Sequence, residues 1–273
     1  MNNRKEQLAA VERLLDVLDR LRAECPWDKK QTYQSLRPNT IEETFELCDA
    51  LMKEDKKNIC KELGDVLMHV LFYAKIGSET EDFDLADIDN QQADKLIFRH
   101  PHIYGEVKAD TAEEVLQAWE KIKLKEKDGN KTVLAGVPVS LPSLVKAYRI
   151  QDKTRNVGFD WADRKDVWKK VHEEIDELQA ELERIDNAAT KGDEESKKQA
   201  KADAEKEFGD VLFSMINAAR LYKLNPDNAL ELTNQKFIKR FNYIEQKAQE
   251  QGRSVADMTL TEMDKYWEEA KRL

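Results

Sequence analysis

The feature that most constrains this chain is a set of short motifs that occurs twice, in the same order, on stretches of helical periodicity. Glu42-Glu43-x-x-Glu46-Leu47 returns as Glu173-Glu174-x-x-Glu177-Leu178, and Lys61-Glu62-x-Gly64-Asp65-Val66-Leu67 returns as Lys206-Glu207-x-Gly209-Asp210-Val211-Leu212. Further on, Lys95-x-x-x-Arg99 is matched by Lys236-x-x-x-Arg240, and Trp119-Glu120-x-x-Lys123 by Trp267-Glu268-x-x-Lys271. Upstream, Cys25-Pro26-Trp27-Asp28 stands where Gly158-Phe159-Asp160-Trp161 stands. Matches in one order imply one folding unit written twice.

The unit is helical. Leu8, Val11, Leu14, Leu15, Leu18 and Leu21 recur at helical spacing and stop at Cys25-Pro26. Only nine Gly and six Pro interrupt 273 residues, of which 37% are charged, so the expected class is all-α, with two tandem bundles of four to five helices each. A second helix is expected to start near Pro38-Asn39-Thr40, where Asn or Thr can cap it. Gly129, Gly136, Pro138 and Pro142 concentrate turn signals, which places the domains at 1–127 and 144–273 with a linker at 128–143.

Charge and cysteine usage narrow the class. A net charge of -10 argues against a broad phosphate-neutralising surface for nucleic acid, though not against a local basic pocket. No apolar run approaches the roughly 18 residues of a membrane span. Cys25, Cys48 and Cys60 are odd in number and without CxxC spacing, as in a cytoplasmic protein with reduced thiols.

Residues three apart on a helix share a face, so Glu43 projects with Glu46, and Glu62 with Asp65. The same holds for Glu174 with Glu177, and Glu207 with Asp210. Two such helices packed antiparallel bring four carboxylates together, where they repel and raise one another's pKa unless a cation neutralises them. An all-oxygen donor set suits Mg²⁺, with Mn²⁺ as the alternative, hard cations that bridge to phosphate oxygens. The Lys/Arg pairs and the lysines near Trp119 and Trp267 then supply positive charge for a polyphosphate. Trp27, Trp119, Trp161 and Trp267 read as core or interface anchors, with base stacking as the other use. His100-Pro101-His102 reads as a helix terminus, and His69 and His172 as structural or surface residues.

The combination of CPWD, EExxE, ExxD, a Gly/Pro linker and VGFDW resembles the MazG family of nucleoside triphosphate pyrophosphohydrolases, all-α enzymes that cleave NTPs to NMP and pyrophosphate. The likeness covers essentially the whole chain and implies two tandem MazG-like domains. By position it implies Mg²⁺ ligands at Glu174, Glu177, Glu207 and Asp210, with Glu43, Glu46, Glu62 and Asp65 as counterparts. It also implies nucleotide contacts at Lys236, Arg240, Trp267 and Lys271, with Lys95, Arg99, Trp119 and Lys123 as theirs. Homodimers are implied too, in keeping with the small core that four or five helices offer.

The expected activity is a hydrolase of phosphorus-containing anhydrides acting on NTPs and dNTPs, with Glu173 or Glu174 as general base. No set of groups aimed at a base edge is legible, so a broad range of bases is the default. Two departures separate the halves. Glu177 to Glu207 spans 30 residues against 16 from Glu46 to Glu62, an insertion that either extends both acidic helices or forms a loop. Pro101 should end the basic helix of the first half just after Arg99, so the second half is favoured as the working site. The rival readings are a di-iron bundle, for which the Glu-x-x-His motif is missing, and a non-catalytic acidic interaction module.

Overall fold

The computed structural model describes residues 1–109, 111, 114, 115, 119, 122 and 132–272. Among these there is no strand, as expected for an all-α chain. Contacts divide the chain into two compact units, Met1–Ala109 and Asp110–Leu273. The sequence places the join later, at 128–143, and most of the intervening stretch, including Lys123, lies outside the described residues.

Unit 1 contains α1 (Arg4–Glu24), a 3₁₀ turn (Asp28–Lys30), α2 (Tyr33–Met52), α3 (Lys56–Glu79), α4 (Leu85–Arg99) and the short α5 (Pro101–Tyr104). Its core is Leu18, Leu36, Leu71, Phe72 and Ile76, which ties α1 and α2 to α3. The start of α2 differs from the expectation. Thr32 Oγ1 accepts from the Ser35 N–H at 3.1 Å, and Ser35 Oγ accepts from the Thr32 N–H at 2.9 Å. This reciprocal cap starts the helix ahead of Pro38, which lies inside it and gives up one backbone bond. His69, 3% exposed, lies 3.0 Å through Nδ1 from Thr40 Oγ1 and is a core residue. His100 caps the end of α4, and Pro101 opens α5, so the basic helix stops where Pro101 requires.

Unit 2 contains α6 (Ser143–Arg155), α7 (Val167–Lys191), α8 (Glu194–Leu221), α9 (Pro226–Glu250), a 3₁₀ turn (Val255–Asp257) and α10 (Leu260–Ala270). The insertion between Glu177 and Glu207 extends both acidic helices. Its Ala, Lys and Glu favour helix, and the two helices are parted only by Gly192, at φ +69°, and Asp193, whose side chain caps α8 through the Ser196 N–H. Buried Ala188, Ala200 and Ala204 lie along this hairpin. Val167, Val171 and Ala218 form a core between α7 and α8, and a second core of Ile244, Ala248 and Met258 joins α9 to α10.

Candidate metal and nucleotide site

The α2–α3 and α7–α8 hairpins each bring three of their four signature acids together. In unit 1, carboxylate oxygens of Glu43, Glu62 and Asp65 lie within 4.8 Å of one another. In unit 2 the trio is Glu174, Glu177 and Glu207, within the same distance. The full set of four is not assembled in either half. Glu46 is exposed and 4.0 Å from Lys61 Nζ, and Asp210 is exposed on the wall of an adjoining cavity.

Both clusters behave as crowded negative charge. Burial pushes the Glu43 carboxyl up, and Asp65, Glu46 and Glu62 add to it. Burial likewise raises Glu177, with Glu174 and Glu207 contributing. Each cluster also holds a lysine that the sequence reading did not assign. Lys61 Nζ donates to Glu62 at 2.9 Å and lies 3.6 Å from Asp65. Lys170 Nζ lies 2.8 Å from Glu173 and 2.7 Å from Glu174, and these two bonds hold its ammonium well above the ordinary lysine value. Lys61 was visible in the repeated motif, but its counterpart Lys206 pairs instead with Asp203 at 2.9 Å. Lys170 is four residues before Glu174, the spacing at which helical side chains meet.

The donor set fits a hard divalent cation. All the converging atoms are carboxylate oxygens, Glu62 and Glu174 are each 6% exposed, and the Glu62 Oε2 atom is buried without a hydrogen-bond partner. A buried anionic oxygen left unpaired asks for a cation.

The space beside the clusters differs between the units. In unit 1 a hollow of about 170 Å³ is lined by Glu46, Asp49, Lys53 and Glu62. In unit 2 Glu174 and Asp210 open onto a cavity of about 540 Å³ with Phe159, Trp161 and Phe213 in its walls. The Gly158–Trp161 loop is held there by Arg220, whose Nη1 donates to Asp160 Oδ2 at 3.0 Å while Nη2 reaches Asp160 Oδ1. Burial alone would raise the Asp160 carboxyl, but the Arg220 bonds outweigh it and hold the group below the ordinary aspartate value.

The expected nucleotide-contact residues gather elsewhere. Arg240 lies over the Trp267 ring at 5.4 Å, and Phe237 packs against the same ring at 5.0 Å. Trp267 also joins the α9–α10 core, so it is an anchor first. Lys271 at the end of α10 pairs with Glu268. Lys236, on α9, and Arg240 are not among the residues lining the cavity. Lys95 and Arg99 are on α4, and Trp119 is half-buried in a helical turn. Gln151, Asn217 and Arg220, all on the cavity wall, were missed. They stand on α6 and the last turns of α8 with no motif to mark them.

A family profile described as the MazG nucleotide pyrophosphohydrolase domain matches residues 31–104. The chain is 39% identical over 269 residues to the nucleoside triphosphate pyrophosphohydrolase of Escherichia coli (strain K12), covering 96% of this chain and 97% of that one. It is 36% identical over 272 residues to the nucleoside triphosphate pyrophosphohydrolase/pyrophosphatase MazG of Thermotoga maritima, covering 98% of each. Over 248 residues it is 44% identical to the uncharacterized protein YabN of Bacillus subtilis (strain 168), covering 90% of this chain and 48% of that one. The profile spans Glu43, Glu46, Glu62 and Asp65, and the near full-length matches carry the likeness through unit 2. The chain therefore belongs to the MazG nucleotide pyrophosphohydrolase family.

Proposed function

We propose that this protein hydrolyses nucleoside and deoxynucleoside triphosphates, over a broad range of bases, to the monophosphate and pyrophosphate with Mg²⁺. The observation that carries the reading is the Glu174, Glu177 and Glu207 carboxylate cluster, of which Glu174, together with Asp210, lines an aromatic-walled cavity of about 540 Å³, large enough for a nucleoside. The names of the relatives from Escherichia coli and Thermotoga maritima support the same substrate class.

Glu174, Glu177 and Glu207, with Asp210 beside them, would hold Mg²⁺ in unit 2, and Glu43, Glu62 and Asp65, with Glu46, in unit 1. When bound, Mg²⁺ neutralises phosphate charge and lowers the pKa of the water it holds. Glu173, exposed beside the cluster and bonded by Lys170, suits removal of a proton from the attacking water. Lys170 restrains the Glu173 and Glu174 side chains from one ammonium. The family resemblance assigns the β and γ phosphates, where negative charge grows as pyrophosphate leaves, to Lys236, Arg240 and Lys271, which do not line the cavity, so that contact needs the phosphate tail to extend out of it.

The working form is a homodimer in a cytoplasmic setting. No helix among the described residues is long and apolar enough to cross a membrane. The repeat leaves matching apolar positions exposed on α3 and α8: Leu63 and Phe208, Leu67 and Leu212, Val70 and Met215, all 41–55% exposed. Gly64 and Gly209 lie in the same stretches with open space where a Cβ would go. Such a stripe on both acidic helices is what pairing with a second copy would bury.

The test is to incubate the protein with Mg²⁺ and a panel of NTPs and identify the products. Monophosphate with pyrophosphate is expected, and diphosphate with orthophosphate would overturn the proposal. Glu174→Ala is expected to abolish turnover and Glu43→Ala to leave most of it, because the cavity adjoins the unit 2 cluster.

A further inference from the structure

We infer that Gln151 reads the edge of the nucleobase, its side-chain carbonyl accepting a hydrogen bond from a base N–H. The inference rests on the triphosphate reading above and deepens it. Gln151 is on α6, 5% exposed, and lines the unit 2 cavity. Its Nε2 donates to the Phe213 backbone carbonyl at 2.8 Å. A backbone carbonyl can only accept, so the amide has one orientation, with Oε1 turned the other way. That Oε1 is buried and has no hydrogen-bond partner. Buried polar atoms are almost always paired, and an orphan on a cavity wall marks a place where a ligand supplies the missing donor.

Asn217 adds the complementary group. Its Oδ1 accepts from Arg220 Nε at 3.2 Å and Nη2 at 2.8 Å, which leaves the amide N–H₂ as what it offers to the cavity. Arg220 is itself locked by Asp160, so the donor does not rotate freely. The wall thus presents one oriented acceptor and one oriented donor among Phe159, Trp161 and Phe213, whose rings suit a flat heterocycle.

This pattern fits a substrate class and not a single base. Adenine and cytosine carry an amino group beside a ring nitrogen, and guanine, uracil and thymine carry a ring N–H beside a carbonyl. Every common base therefore brings a donor next to an acceptor. A nucleotide whose edge lacks the N–H leaves Gln151 Oε1 as unpaired as it is without ligand and forgoes the hydrogen bond that a matching base gains. Sites built to hydrogen-bond a substrate N–H discriminate strongly against analogues without it.

The experiment compares kcat/KM of the unaltered protein with Mg²⁺ for two pairs. These are ATP against purine riboside triphosphate, which lacks the amino group, and UTP against UTP methylated at the ring imino nitrogen. Each analogue is expected to lose at least about tenfold. In Gln151→Leu the two members of each pair should come within about threefold of one another. Equal turnover of ATP and purine riboside triphosphate by the unaltered protein overturns the inference while the pyrophosphohydrolase reading stands. Absence of AMP and pyrophosphate from ATP removes both. Because the deciding comparison uses the unaltered protein, poor folding of Gln151→Leu does not shield the inference.

Discussion

The ion pair between Asp160 and Arg220 ties the cavity loop to α8, and its removal has a calculable cost. The Arg220 side chain is 4% exposed and that of Asp160 20%. Asp160→Ala strips the guanidinium of both carboxylate contacts and leaves it desolvated, with Asn217 Oδ1 as its remaining acceptor. Breaking a buried pair from one side costs about 3–5 kcal/mol. The partial exposure of Asp160 and the Asn217 bonds place the expectation near the lower end, about 3 kcal/mol. Asp160→Asn keeps the shape and one acceptor and should cost about 1–2 kcal/mol. Urea denaturation followed by tryptophan fluorescence reads both, since Trp161 and Trp168 belong to the same unit. The pH dependence has a definite sign. The folded carboxyl titrates below its ordinary value of 3.8, so its contribution is complete above that value and is lost as pH falls through the folded one. The advantage of the unaltered protein over Asp160→Asn should stay constant from pH 7 to about 5 and shrink below about 3.8. A cost under about 1 kcal/mol for Asp160→Ala, or an advantage that grows on acidification, would refute the reasoning.

Lys170→Met removes the cation bonded to Glu173 and Glu174. Two unit charges about 4 Å apart in water interact by about 1 kcal/mol, and a unit charge with a divalent ion by about 2 kcal/mol, so Mg²⁺ should bind about thirtyfold more tightly by calorimetry; weaker binding would show that Lys170 does not compete with the metal. Gly192→Ala forces a side chain to φ +69° in the α7–α8 turn, with no neighbour within 4 Å to add a clash. The expected loss is about 1 kcal/mol of backbone strain, read by urea unfolding, and no loss would mean the turn relaxes freely. Leu212→Glu, with Leu67→Glu in the same chain, places charge on the exposed stripes. Light scattering should then report half the mass at unchanged helicity, and an unchanged mass would mean that the stripes do not pair two copies.

The acidic residues were legible because their spacing follows the helix period, and a period fixes which side chains share a face. Where one helix meets another is set by caps and turns, which explains the miss at Pro38. The cap at Thr32 and Ser35 outweighed the proline signal, since a proline one turn inside costs less than losing a whole turn. The composition of the insertion between Glu177 and Glu207 left open whether it extends the helices or forms a loop, and the left-handed Gly192 with the Asp193 cap makes it one hairpin. Gln151 and Asn217 could not have been found from the sequence. Each is a lone amide on a helix, and what marks them is an unpaired atom on one and a hydrogen-bonded oxygen on the other, relations that exist only after α6 and α8 have packed.

The same register explains why two copies of one motif need not do the same work. Aligning Glu62 with Glu207 puts His69 at the position of Ser214, Phe72 at Asn217 and Lys75 at Arg220. Phe72 is 3% exposed and packs with Leu36 and Leu71, so the position that faces the cavity in unit 2 fills the core in unit 1. Lys75 pairs with Asp19 of α1 at 2.8 Å, whereas Arg220 clamps the cavity loop. The loop of unit 1 is held from the other side, by Arg22, whose guanidinium takes the Gln31 carbonyl at 3.0 Å and pairs with Glu79. Unit 1 thus uses for its own packing the positions that line the cavity in unit 2. The acids of unit 1 can remain because Glu62 and Asp65 stand about two turns or more before Phe72 on α3. Opening unit 1 therefore takes more than acids. Phe72→Asn should lose about 3–5 kcal/mol of stability without creating a second active site in a Glu174→Ala background. Recovered turnover in that double variant, absent from Glu174→Ala alone, would show that Phe72 by itself keeps the unit 1 cluster idle.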